Sequence, residues 1–160
     1  MADITLNVDG YNDASAHRFL SLNAAIAHAT SDHLDLSAST GFNGCLRIPI
    51  SIGTEETLGV SVAGFLGADI DRFVDIYGVG NGLTTGVWST GRYRLTKNVN
   101  NQFPLQISVP YTRVRGIQIG QLYAGANGYS AVVIGAVAGV LMESCVIRAN
   151  TASTSWYGAV

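Results

Sequence analysis

The residues able to do acid–base or ligand chemistry are few and fall in small groups. Asp69, Asp71 and Asp75 form the densest acidic cluster. Close carboxylates serve polysaccharide-cleaving enzymes as acid and base, or bind calcium. Here Asp69 and Asp71 sit in a loop, and Asp75 takes the outward phase of the strand that follows. That placement reads as a solvated turn and a solvated strand face rather than as a catalytic or calcium site. Glu55-Glu56 lies among Gly and Thr and reads as turn solvation. Glu143 has no second carboxylate at matching phase. His17, His28 and His33 all lie near one helix, with His28 on its polar side and therefore at exposed surface. No Gly-x-Ser-x-Gly elbow occurs, and GVGNG at 78–82 lacks the Lys and following helix of a phosphate loop. The expectation is no catalytic residue, no metal centre and no cofactor.

The aromatic residues carry two readings. Trp88, Tyr93, Tyr111, Tyr123, Tyr129, Trp156 and Tyr157 could form a sugar-stacking strip, or they could pack in a core or a subunit interface. Trp88, Tyr93 and Tyr123 are the candidates for glycan contact. Trp156 and Tyr157 are the candidates for an interface. Cys45 and Cys145 lie in apolar stretches without neighbouring ligands and read as two buried, reduced thiols.

Composition narrows the class. Of the 160 residues, 48% are apolar and only 12% charged, which opposes disorder. A net charge of −2 offers no field for nucleic acid. No apolar run reaches the ~18–20 residues of a membrane span. The first ten residues, MADITLNVDG, lack the basic start and apolar core of a signal peptide, so synthesis in a cytoplasm is expected.

These side chains must be positioned by one helix and many short strands. Phe19, Leu22, Ala25, Ile26 and Ala29 recur at helical spacing, with Ser21 as a candidate N-cap. Elsewhere the pattern predicts strands at 4–8, 45–50, 59–63, 73–77, 93–96, 105–109, 112–119, 131–134 and 140–148, separated by Gly, Asn, Asp, Thr and Ser clusters. Two of them repeat. Val114, Ile117 and Ile119 match Met142, Cys145 and Ile147 at an offset of 142 − 114 = 28, and LQISV matches AVVIG at 133 − 107 = 26. A unit of this period cannot bury its apolar face alone, so copies must stack. Regular strand spacing in a β-sandwich produces a similar pattern.

The strand, Asp-Gly turn and RFLSLNAAIAHA at 18–29 resemble the opening of right-handed parallel β-helix proteins. GVWSTGRYRL, YTRVRGIQI and AGVLMESCVIRANT resemble successive rungs of that group, which includes bacteriophage tail spikes, fibres and other virion proteins. The resemblance implies an all-β class: a right-handed parallel β-helix, or solenoid, with an N-terminal capping helix. It implies a strand and cap over 1–34 and rungs over 35–160, one structural domain overall. In function it implies a non-enzymatic structural part of a virion or similar extracellular assembly, such as a tail fibre, spike, shaft or capsid decoration, acting through self-association. The alternative is a glycan-binding or polysaccharide-cleaving spike or adhesin domain. Expected partners are further copies, other virion proteins or a host surface glycan, with neither nucleic acid nor membrane, and the expected location is the virion.

Overall fold

A computed structural model describes residues 3–37, 39, 41–124 and 130–149. The chain opens with strands β1 (Ile4–Thr5) and β2 (Asn7–Val8), a 3-10 turn over Ala14–Ala16, and β3 (Arg18–Phe19). Helix α1 (Leu22–Asp32) follows. Then come β4 (Leu46–Ile50), β5 (Glu55–Glu56), β6 (Val60–Val62), β7 (Val74–Gly78), β8 (Arg94–Lys97) and β9 (Leu105–Ile107). The last five are β10 (Arg113–Arg115), β11 (Gln118–Gln121), β12 (Val132–Ile134), β13 (Leu141–Glu143) and β14 (Val146–Ala149).

The strands pair in parallel within three sheets. One runs β13-β10-β7-β4-β2-β3, with β1 also on β4; the others run β14-β11-β8-β5 and β12-β9-β6. Parallel neighbours need a long crossover, and here the chain visits the other two sheets between one strand and its partner. Register aligns apolar side chains in inward columns. Ile48, Ile76, Val114 and Met142 form one column, and Leu95, Ile119 and Ile147 another. Val62, Ile107 and Ile134 form a third. Together with Leu6, Phe19 and the apolar face of α1 they make one continuous core.

The expected all-β solenoid is corrected by this arrangement. The chain has mixed α/β character: short parallel strands in three sheets, a helix packed on them, and only 34% strand among the described residues. The repeats encode how neighbouring strands pair, and Val114 does pair with Met142 and Ile119 with Ile147, all in parallel. Pairing of neighbours, however, does not specify the class of the whole chain. Long irregular stretches such as 83–93 and 98–104 separate the strands.

Two further expectations shift. Ile107 pairs with Ile134, not Val133, so the second repeat is offset by 134 − 107 = 27. A slip of one residue turns a strand's side chains to the opposite face, and only the 27-residue offset aligns Leu105 and Ile107 with Val132 and Ile134. The strands expected at 112–119 and 140–148 are each cut at a corner, where Gly116 (φ 65°) and Ser144 (φ 53°) take the left-handed conformation 28 residues apart. Tyr111 (φ 55°) and Gly139 (φ 72°) repeat the device. A Cβ on Gly139 would lie 2.6 Å from Tyr111 Cδ1, so both space and backbone favour glycine there.

Helix α1 begins at Leu22 because Phe19 is taken up by β3. The Ser21 side chain caps it, its Oγ accepting from Ala24 N–H at 3.1 Å. Leu22, Ala25, Ile26 and Ala29 are its buried face, at the i, i+3, i+4, i+7 spacing of a one-sided helix. They pack over β6 and against β2, β3 and β4, covering one end of the stack of strands. No described helix is long and apolar enough to cross a membrane.

Candidate functional site

The acidic candidates are engaged in structure-forming contacts. Asp75 is buried, with only 1% of its side chain exposed, which corrects its assignment to a solvated face. Register explains the burial: β7 lies between β4 and β10, and Asp75 stands between Arg47 and Arg113. Its carboxylate accepts from Arg47 Nη1 at 3.1 Å, from Arg115 Nε at 3.1 Å and from Arg115 Nη2 at 2.7 Å. Arg113 turns instead onto the Phe73 ring, 3.6 Å from its centroid. Asp69 pairs with Arg72 and also accepts from the backbone N–H groups of Asp71 and Arg72, closing a local turn. The Arg72 contact holds the Asp69 carboxyl below its ordinary value. Asp71 is exposed. The structure does not bring the three carboxylates together on one substrate.

Glu55 and Glu56 form the unexpected strand β5 and do opposite things. Glu55 faces outward, accepting from Thr96 Oγ1 at 2.7 Å and pairing with Arg94 at 3.1 Å. Those contacts, Thr96 first, lower its pKa. Glu56 occupies the inward column continued by Leu95, Ile119 and Ile147, so alternation alone drives a carboxylate into the core. There it meets the first turn of α1. Its Oε2 accepts from Leu22 N–H and its Oε1 from Asn23 N–H, both at 2.8 Å. The Tyr93 hydroxyl donates to Oε2 at 2.6 Å. Glu56 thus satisfies helix donors that have no partner within the helix, at the end where a negative charge is favourable. The turn-solvation reading of Glu56 is corrected; nothing in the local pattern distinguishes it from Glu55 except strand phase.

The three histidines converge although they come from separate places. His17 ends the 3-10 turn in left-handed conformation (φ 53°), set by the Asp13 cap behind it. His28 is in the middle of α1 and His33 is the residue closing its C-terminus. Ring centroids are 5.8 Å apart for His17–His28, 5.7 Å for His17–His33 and 5.6 Å for His28–His33. One nitrogen from each lies within 4.8 Å of the other two. Phe19 packs against His28 and Phe42 against His33. His28, expected at exposed surface, has only 17% of its side chain exposed. Its Nδ1 faces Asp32 Oδ2 at 3.3 Å, one turn further along the helix. The Nε2 atoms of His28 and His33 are buried and have no hydrogen-bond partner. Burial, and then the charges of His17 and His28, push the His33 pKa down, favouring neutral imidazole. The sequence signal was slight: His28 and Asp32 share a helix face, while His17 arrives only through a tertiary turn.

The aromatic candidates do not line up. Tyr93 is fully buried on Glu56, which corrects its assignment to glycan contact. Burial and the neighbouring Glu56 charge push its pKa well up. Trp88 is half-buried and lies over Gly120, where a Cβ would come within 2.5 Å of its ring. Tyr123 is half-buried, its N–H donating to Gln121 Oε1 at 3.1 Å. Trp156 and Tyr157 fall outside the described residues. Gln118 is enclosed by the 89–93 segment: its amide oxygen accepts from Ser89 N–H and its amide nitrogen donates to the Ser89 and Tyr93 carbonyls. Cys45 and Cys145 are free thiols, both pushed to higher pKa by burial.

The end of the stack opposite α1 is different in character. Among the described residues, β12, β13 and β14 are each paired along one edge only. Ile134, Met142, Cys145 and Ile147 are only partly buried against the core, and Leu141 is 45% exposed. No protein-family model matches this chain, and neither the curated proteins nor the solved structures contain a match to it.

Proposed function

We propose that this chain is a non-enzymatic structural component of a virion or similar extracellular assembly, and that it acts by self-association. The open layer formed by β12, β13 and β14 carries this reading. Among the described residues, three strand edges present N–H and C=O groups with no strand partner above partly covered Ile134, Met142 and Ile147. Such edges pair readily with another chain. Because α1 covers the opposite end, a second copy cannot continue the stack head to tail. Two copies therefore meet through the same layer, related by a twofold axis. The carboxylates support the non-enzymatic part of the reading: Asp75, Glu55 and Glu56 are occupied by arginines, a threonine and a helix end.

Size-exclusion chromatography with light scattering, over a hundredfold range of concentration, tests the proposal. The expected result is a dimer or larger species that dissociates on dilution. Leu141→Lys sets a charge beside the open edge at an exposed position, and it is expected to shift the mass towards the monomer. A monomer at all concentrations, or an unchanged assembly in Leu141→Lys, overturns the reading.

A further inference from the structure

We propose that His17, His28 and His33 form a binding site for one divalent transition-metal ion of the Zn²⁺ or Co²⁺ type. The three imidazoles supply three nitrogen ligands and leave a fourth position for water.

The chemistry of the donor set selects the ion. Imidazole suits first-row divalent ions, whereas calcium and magnesium require oxygen ligands, and the ligand atoms that converge here among the described residues come from three histidines. The geometry is close to that of a bound ion. Zn–N bonds of ~2.0–2.1 Å in a tetrahedral site separate ligand nitrogens by about 3.3 Å. The nitrogens here already lie within 4.8 Å of one another. Rotations moving each nitrogen by about 1 Å complete the set, small for an imidazole that swings about two rotatable bonds.

The surroundings of His28 point the same way. A carboxylate can only accept, so Asp32 fixes the proton of neutral His28 on Nδ1, 3.3 Å away. The lone pair is then on Nε2, the atom that is buried without a partner. Ligand histidines are commonly oriented in this way by a carboxylate on their other nitrogen. Ser31 Oγ donates to the second oxygen of Asp32 at 2.5 Å and steadies it. His33 Nε2 is likewise buried and unpartnered. Two adjacent orphaned acceptors or donors in a partly enclosed place are costly unless something satisfies them. Phe19 and Phe42 flank the site and limit access of water. A bound ion would tie the end of the 3-10 turn to the middle and the C-terminus of α1, clamping the helix over the strands it covers.

The test uses the full chain, stripped with chelator and titrated with Co²⁺ while the visible spectrum is recorded. One equivalent is expected to produce the d–d bands of tetrahedral cobalt, and Zn²⁺ is expected to abolish them. No thiolate charge-transfer band should appear, since neither Cys45 nor Cys145 belongs to the site. His17→Asn keeps a residue that tolerates the left-handed backbone, and with His33→Ala it should weaken Zn²⁺ binding more than tenfold. Asp32→Asn should weaken it by ten- to a hundredfold. Absence of stoichiometric binding by the parent chain overturns the proposal even if a variant fails to fold. A thiolate band, or unchanged affinity in His17→Asn and His33→Ala, also overturns it. The self-association described above is measured without metal, so the two readings fail independently.

Discussion

Replacing Glu56 with alanine should be among the most damaging single changes in this chain. The carboxylate is buried and accepts three hydrogen bonds: from Leu22 N–H and Asn23 N–H at 2.8 Å and from the Tyr93 hydroxyl at 2.6 Å. A hydrogen bond to a charged group contributes about 1.5–3 kcal/mol, and a buried hydroxyl left unsatisfied costs about 1–3 kcal/mol. The charge at the N-terminus of α1 adds up to ~2 kcal/mol where it is partly buried. The three bonds share one acceptor, so they do not add, and removing the carboxylate also relieves its own desolvation. The net expectation is a loss of about 3 kcal/mol, a large part of a typical stability of ~5–15 kcal/mol. Glu56→Gln keeps the shape and one accepting oxygen, and should lose about half as much. Urea unfolding followed by circular dichroism, at fixed protein concentration because self-association shifts the midpoint, gives both numbers. Tyr93→Phe removes the hydroxyl that Glu56→Ala would strand, so the double variant should lose less than the sum of the two single losses. If Glu56→Ala unfolds within 0.5 kcal/mol of the parent, or the two losses add, the reasoning about this network is refuted.

Asp75→Ala leaves Arg47 and Arg115 facing one another, although Arg47 retains Asp3 at 2.6 Å. Both arginines are more than a third exposed, so screening limits the expected loss to about 1–2 kcal/mol. High salt should narrow the gap to the parent in urea midpoint; a gap independent of salt would show that packing, not charge, is lost. Alkaline pH should act through Tyr93. Its folded pKa is raised above the ordinary 10.0, so its contribution is complete below that value and is lost as pH rises towards the folded pKa. In a spectrophotometric titration Tyr93 should ionise late, together with unfolding. Tyr93→Phe should abolish that late step, and its persistence in the variant would assign it elsewhere.

Much of the local structure was legible in the chain. Alternation of apolar residues at Val114, Ile119, Met142 and Ile147 determines which side chains can face a core, and a 28-residue echo determines that they pair side by side, as they do. Ser21 and the Leu22, Ala25, Ile26, Ala29 stripe determine a capped, one-sided helix. These are short-range properties, set by backbone period and by the fit of a side chain to its own turn. The tertiary structure decided the rest. Glu55 and Glu56 look alike in sequence, yet the register of β5 on β8 sends one to solvent and an arginine, the other to the end of a helix 33 residues away. Asp75 became buried only because β4 and β10 flank it with arginines. Local pairing could not reveal the mixed α/β character of the whole, since the irregular crossings between sheets leave no periodic trace. His17 meets His28 and His33 only because a left-handed turn returns the chain beside α1. Periodicity records which face a residue takes; which residue from elsewhere arrives at that face is settled by long-range packing, for which the chain carries no local mark.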